Sequence, residues 1–118
     1  MYGLARNEDI SFFIGKDLIQ LCLGQFVFGL VFSENTSISV EAGGFTFKNK
    51  RYKGQEESHK ACILHILLGK KVINTSHGKE DGDLVIEFDD GNSLTLHDDY
   101  KEFESYSFYN PQGLKVVI

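Results

Sequence analysis

The side chains able to do acid–base or metal chemistry are concentrated late in the chain. Residues 79–104 hold ten carboxylates against two lysines, whereas residues 1–78 carry nine Lys and Arg against seven Asp and Glu. The formal net charge of −5 over 118 residues therefore hides a weakly basic first part and a strongly acidic stretch after it. Charge of one sign concentrated in this way steers a partner of the opposite sign and repels nucleic acid.

Spacing limits what these groups can do. Asp81-Gly82-Asp83 and Asp89-Asp90-Gly91 have the chemistry of tight turns, and neither continues into the Asp-x-Asp-x-Asp-Gly loop, closed by a bidentate Glu, that calcium requires. The four histidines are scattered, and His59 and His65, six apart, would sit about 240° apart around an α-helix. His97-Asp98-Asp99 is the one compact His/Asp group and the one place to seek a metal-dependent hydrolase, but after a strand it reads as a solvated turn. Cys22 and Cys62 have no paired or metal-type spacing and no adjacent cation to activate a thiol, so both read as small core residues. No catalytic residue, metal site or cofactor is assigned on these grounds.

What remains is recognition. The acidic stretch offers Asp89, Asp90, Asp98, Asp99, Glu102 and Glu104 as a charged docking surface for a basic protein, with Tyr100, Phe103 and Tyr106 as aromatic anchors. The alternative is the basic run Lys48-Asn49-Lys50-Arg51-Tyr52-Lys53, which would serve a small ligand or, less in keeping with the overall charge, nucleic acid.

The elements that must position these residues follow from apolar periodicity. Phe28, Leu30 and Phe32, Ile38 and Val40, Leu84, Ile86 and Phe88, then Leu94 and Leu96 alternate with other residues and predict strands. Glu34-Asn35 and Asp90-Gly91 supply hairpin turns between them, and Tyr106, Phe108 and residues 116–118 predict two further strands. Residues 57–68 predict an α-helix closed by Gly69; its apolar residues cover nearly the whole circumference, so its last two turns, His65 included, are expected in the core. Val27 and Val31 give the first strand set a second apolar face, where the later set has Asp83 and Glu87. The first is therefore expected to be covered on both faces and the second on one.

The two strand sets align. Placing Ile14-Gly15-Lys16-Asp17-Leu18-Ile19 over Leu68-Gly69-Lys70-Lys71-Val72-Ile73 and allowing a turn two residues longer brings Gly24 to Gly78, Phe32 to Phe88 and Ser37 to Ser93. The expected architecture is therefore a single α+β domain over residues 1–118, mainly antiparallel β. Pseudo-repeats 14–47 and 68–108 form two β-meanders that flank one buried α-helix and are joined by loop 48–56 and helix 57–68.

The stretches Asp9-Ile10-Ser11-Phe12-Phe13-Ile14-Gly15-Lys16, Ser37-Ile38-Ser39-Val40-Glu41, Leu67-Leu68-Gly69-Lys70-Lys71-Val72, Phe88-Asp89-Asp90-Gly91-Asn92-Ser93-Leu94-Thr95-Leu96 and Phe103-Glu104-Ser105-Tyr106 together resemble a family of small uncharacterised bacterial proteins. The resemblance spans nearly the whole chain, with Phe103 where a tyrosine is usual, and it implies no assigned activity. In size and charge the chain is also similar to immunity proteins that neutralise secreted toxins. The expectation drawn is a non-enzymatic immunity or inhibitor protein that blocks a basic toxin domain. No run approaches the roughly 20 apolar residues of a membrane span, and residues 1–10 lack the pattern of a secretory signal, so a cytoplasmic location is expected. Exposed edge strands leave self-association open.

Overall fold

The structure is a computed structural model that describes residues 10–25, 27–41, 44–53, 58–78, 83–97, 106–109 and 115–117. Ten strands form two five-stranded antiparallel sheets: β1 (Leu18–Leu23), β2 (Phe28–Phe32), β3 (Thr36–Val40), β4 (Phe45–Phe47), β5 (Lys50–Tyr52), β6 (Val72–His77), β7 (Leu84–Phe88), β8 (Ser93–Leu96), β9 (Tyr106–Tyr109) and β10 (Lys115–Val117). Sheet one runs β1-β2-β3-β9-β10 and sheet two runs β5-β4-β8-β7-β6. Each sheet is thus a three-stranded meander from one half of the chain extended by a hairpin from the other. The β9–β10 hairpin pairs with β3, and β4–β5 pairs with β8.

This arrangement corrects the α+β expectation. The molecule is β-rich, and its helical structure among the described residues is 3₁₀: a turn at Ser11–Phe13 and a helix at Ser58–Leu67. With three residues per turn, side chains three apart eclipse one another. Ala61, Leu64 and Leu67 accordingly stack in one line and are fully buried, Ile63 and Ile66 are half-buried, and Lys60, Cys62 and His65 are exposed. An α-helical period would have spread the apolar residues around the circumference and demanded burial on several sides; the shorter period needs one buried row. The core positions expected for Cys62 and His65 are therefore wrong, and Cys22, though on β1, is exposed as well.

Two further expectations fail. Residues read as connecting loop 48–56 include β5, because Lys48 and Asn49 both take left-handed backbone (φ 52° and 64°) and close a two-residue hairpin from β4. The first meander is not covered on its second face: Val27 is exposed and Val31 half-buried.

The inward alternation holds in both meanders. Leu18, Phe28, Leu30, Phe32, Ile38 and Val40 are buried in sheet one, and Val72, Leu84, Ile86, Phe88, Leu94 and Leu96 in sheet two. The inner faces meet, with Phe28 of β2 edge-on to Phe45 of β4 at 5.3 Å between ring centroids.

The halves also repeat one another in backbone detail. Ladder registers break at Leu18/Gln20 in one and at Val72/Asn74 in the other, which leaves Ile19 and Ile73 as outward bulge residues. Gly15 N donates to Val72 O at 2.8 Å, and Gly69 N donates to Leu18 O at 2.7 Å. Leu18 N donates to Lys70 O and Val72 N donates to Lys16 O, at 3.0 and 2.9 Å. Gly15 and Gly69 share φ values of 88° and 83°, a region where a side chain is strained.

Candidate functional site

The β7–β8 ladder pairs Leu84 with Leu96, so the next residues outward, Asp83 and His97, are set opposite each other. On the other side of β8, Phe45 pairs with Leu96 and Thr46 with Thr95, and His97 N donates to Gly44 O at 2.9 Å. Strand alternation turns Leu84, Leu96 and Phe45 into the core and Asp83, His97 and Thr46 to the opposite face. His97 and Asp83 are nevertheless buried, at 6% and 4% exposure.

These three side chains form a continuous chain of hydrogen bonds. Asp83 Oδ2 lies 3.0 Å from His97 Nδ1, and His97 Nε2 lies 2.7 Å from Thr46 Oγ1. An ionised carboxylate only accepts, which places a proton on Nδ1; a neutral ring would then accept at Nε2 from the Thr46 hydroxyl, and a protonated one would donate there. Carboxylate, imidazole and hydroxyl stand in the order that polarises a hydroxyl oxygen. Together with His77, Val85 and Thr95 they line a cavity of about 370 Å³. Gly78, also on its wall, donates its N–H to Asp83 O at 3.0 Å.

The equivalent place in the other half lacks the acid–imidazole pair. Leu23, Gly24, Val27, Gly29 and Ser39 occupy the positions of His77, Gly78, Asp83, Val85 and Thr95, and they line a cavity of about 300 Å³. Val27 replaces Asp83, Glu41 replaces His97, and the backbone contact persists: Gly24 N donates to Val27 O as Gly78 N does to Asp83 O. The same fold is therefore built with and without the buried acid and imidazole.

Of the residues read as an acidic surface, Asp89 and Asp90 are exposed in the β7–β8 turn. Asp89 Oδ1 accepts from Lys71 N at 3.3 Å. Asp90 accepts from Asn92 N at 3.0 Å and from its side-chain amide at 2.8 Å. Slight desolvation raises the Asp90 pKa, but the Asn92 bonds and the nearby Lys70 ammonium outweigh it and hold the carboxyl below the usual value. Asp98, Asp99, Tyr100, Glu102, Phe103 and Glu104 lie outside the described residues. Tyr106 begins β9 and pairs with Val40, which assigns it to sheet one while Asp89 and Asp90 belong to sheet two.

In the sequence Asp83 reads as a turn residue and His97 as part of a solvated turn, and no motif singles out Thr46. The available signal was the repeat itself, which sets Asp83 against Val27, an acid where the other copy has an apolar residue. Among the described residues no group of three or more His, Cys, Asp or Glu is placed to hold a metal ion, and no helix is long and apolar enough to cross a membrane. No family model, curated protein or solved structure matches this chain.

Proposed function

We propose that this chain is a non-enzymatic protein-binding protein of the immunity or inhibitor type that takes a basic partner, and that the cavity beside Thr46 receives a cationic side chain of that partner. The observation that carries the reading is the hydrogen-bond chain from Asp83 through His97 to Thr46. A carboxylate behind a neutral imidazole polarises the ring and the hydroxyl, so the outer lone pairs of Thr46 Oγ1 carry part of the negative charge. An ammonium or guanidinium is the group such an acceptor prefers. The cavity of about 370 Å³ equals the space of about a dozen waters at roughly 30 Å³ each, room for one long side chain and its solvent.

The contrast between the halves supports a role beyond folding. A buried carboxylate–imidazole pair stabilises a fold no better than well-packed apolar side chains of similar volume. The first half forms the same ladder with Val27, so folding alone gives no reason to keep Asp83 and His97 buried in the second. The exposed Asp89 and Asp90 add long-range attraction for a basic surface. Asp98, Asp99, Tyr100, Glu102, Phe103 and Glu104 belong to the proposed surface on the evidence of their types and order in the chain.

The test is an NMR titration with N-acetyl-arginine amide, with N-acetyl-glutamine amide as the neutral control. Shifts centred on Thr46, Thr95 and His97, specific to the arginine compound and lost in Thr46→Val, are the expected result. An equal response to both compounds, or none, overturns the reading.

A second reading rests on the 2.7 Å contact between Thr46 Oγ1 and His97 Nε2. In it Thr46 Oγ1 attacks an ester carbonyl, its proton passes to Nε2 and then to the departing alcohol, and water later cleaves the acyl-threonine. A fluorophosphonate probe that loses fluoride and becomes bonded to Thr46 supports this chemistry; an unmodified chain after prolonged exposure removes it.

A further inference from the structure

A second cavity, of about 440 Å³, lies between the β4–β5 hairpin and the 3₁₀ helix, with walls from Phe47, Lys48, Lys50, Tyr52, Ile63 and Ile66. It combines two cations with an apolar floor. Ile63 and Ile66 are three residues apart, and the 3₁₀ period stacks them in a row beside the buried Ala61, Leu64 and Leu67, which leaves them half-buried along the cavity.

The hairpin supplies the charge. Lys48 Nζ stands 5.9 Å from the Phe47 ring centroid, and Lys50 Nζ stands 5.2 Å from that of Tyr52, so both ammonium groups are drawn over aromatic faces on the cavity wall. Tyr52 is itself fixed by stacking on Phe45, at 4.6 Å and 11° between planes. The two-residue turn places Lys48 at φ 52°, a conformation that favours Asn or Gly over a long side chain. Within a chain of net charge −5 this corner is basic, and its cations adjoin apolar surface.

We infer that this cavity is a binding site for an amphipathic organic anion, a carboxylate or sulfonate whose flat or aliphatic body lies on Ile63, Ile66 and Tyr52 while its charged group meets Lys48 and Lys50. An inorganic anion would gain the charge contacts without the apolar burial. A neutral hydrocarbon would gain the burial without the charge contacts. The site is separate from the Asp83–His97–Thr46 cavity and does not depend on the function proposed for it.

The experiment uses 1-anilinonaphthalene-8-sulfonate, an aromatic sulfonate that fluoresces when its body leaves water, with the full chain. Binding at one site per chain is expected, with displacement by decanoate but not by decanol or by inorganic phosphate at matched ionic strength. Lys48→Gln with Lys50→Gln should weaken binding at least tenfold, and Ile66→Ser at least fivefold, while Thr46→Val leaves it unchanged. Both lysines are exposed, so their replacement keeps the test open even where Ile66→Ser fails to fold. Unaltered dye binding in the double lysine variant overturns the inference, as does displacement by phosphate equal to that by decanoate.

Discussion

Asp17 and Lys71 face each other across an isolated antiparallel bridge, and each holds in its own half the place the other holds in the second. The hydrogen bonds around them come in matched pairs. Ser33 N donates to Asp17 O and Asp89 N donates to Lys71 O, both at 2.9 Å, while Asp17 N and Lys71 N donate to the Ser33 hydroxyl and the Asp89 carboxylate. The two positions thus mark an approximate two-fold relation that brings the starts of β1 and β6 together, and the exchange of hairpins between the sheets is reciprocal in the same sense.

The Lys71 Nζ to Asp17 Oδ1 ion pair, 3.2 Å long, is half open to solvent. Lys71→Met should change unfolding free energy by no more than about 0.5 kcal/mol. Phe32→Ala and Phe88→Ala, at equivalent buried positions, should each cost about 3–5 kcal/mol and resemble one another. Urea unfolding of the three variants compares them directly; an ion-pair effect as large as either core effect would contradict this ranking.

The buried acid and imidazole should show strong coupling. Asp83→Val alone leaves His97 Nδ1–H without its carboxylate and should cost about 3 kcal/mol. His97→Leu alone leaves the carboxylate unpaired and should cost at least as much. The double variant, which copies the apolar character of Val27, should recover to within about 1 kcal/mol of the parent chain. A double-mutant cycle measures this, and additive losses would show that the pair is not the unit it forms in the structure.

Two glycines at different places in the repeat should differ by what surrounds them. Gly15→Ala meets no atom within 4 Å and has φ 88°, so its cost, about 1 kcal/mol, is conformational alone. At Gly78 an added Cβ would lie 2.6 Å from Asp83 Cβ. Gly78→Ala should therefore displace Asp83, cost about 1–3 kcal/mol and shift the ring ¹⁵N resonances of His97, which Gly15→Ala leaves in place. Unmoved His97 resonances in Gly78→Ala would show that Asp83 holds its position despite the new methyl.

Acid should loosen the β7–β8 turn late. Because the folded-state pKa of Asp90 is held below its ordinary value of 3.8, its contribution is fully present above that value and is lost as pH falls through the lower folded one. Asp90→Asn should leave stability near neutral pH little changed, since the group is exposed. It should also flatten the decline of stability below pH 4, and acid titrations of both chains followed by circular dichroism test the difference.

Much of the fold was written locally. The alternation in Phe28–Phe32 and Leu84–Phe88, the turn chemistry of Glu34-Asn35 and Asp90-Gly91, and the left-handed Gly69 all depend on residues a few positions apart, where period and backbone preference act directly. The alignment of the halves was legible for the same reason, since Leu18 with Val72 and Phe32 with Phe88 are inward positions of local patterns. The exchange of hairpins, the 3₁₀ winding of Ser58–Leu67 and the meeting of Thr46 with His97, 51 residues away, were decided by tertiary structure. A 3₁₀ run as long as Ser58–Leu67 is uncommon because its hydrogen bonds are poorer, so nothing in the local pattern of the segment announces it. A free sheet edge accepts any strand of fitting pattern, so which hairpin completes which sheet depends on the whole core closing at once. Only after that choice does β4 lie beside β8, and an acid, an imidazole and a hydroxyl that sequence order keeps apart come into hydrogen-bond contact.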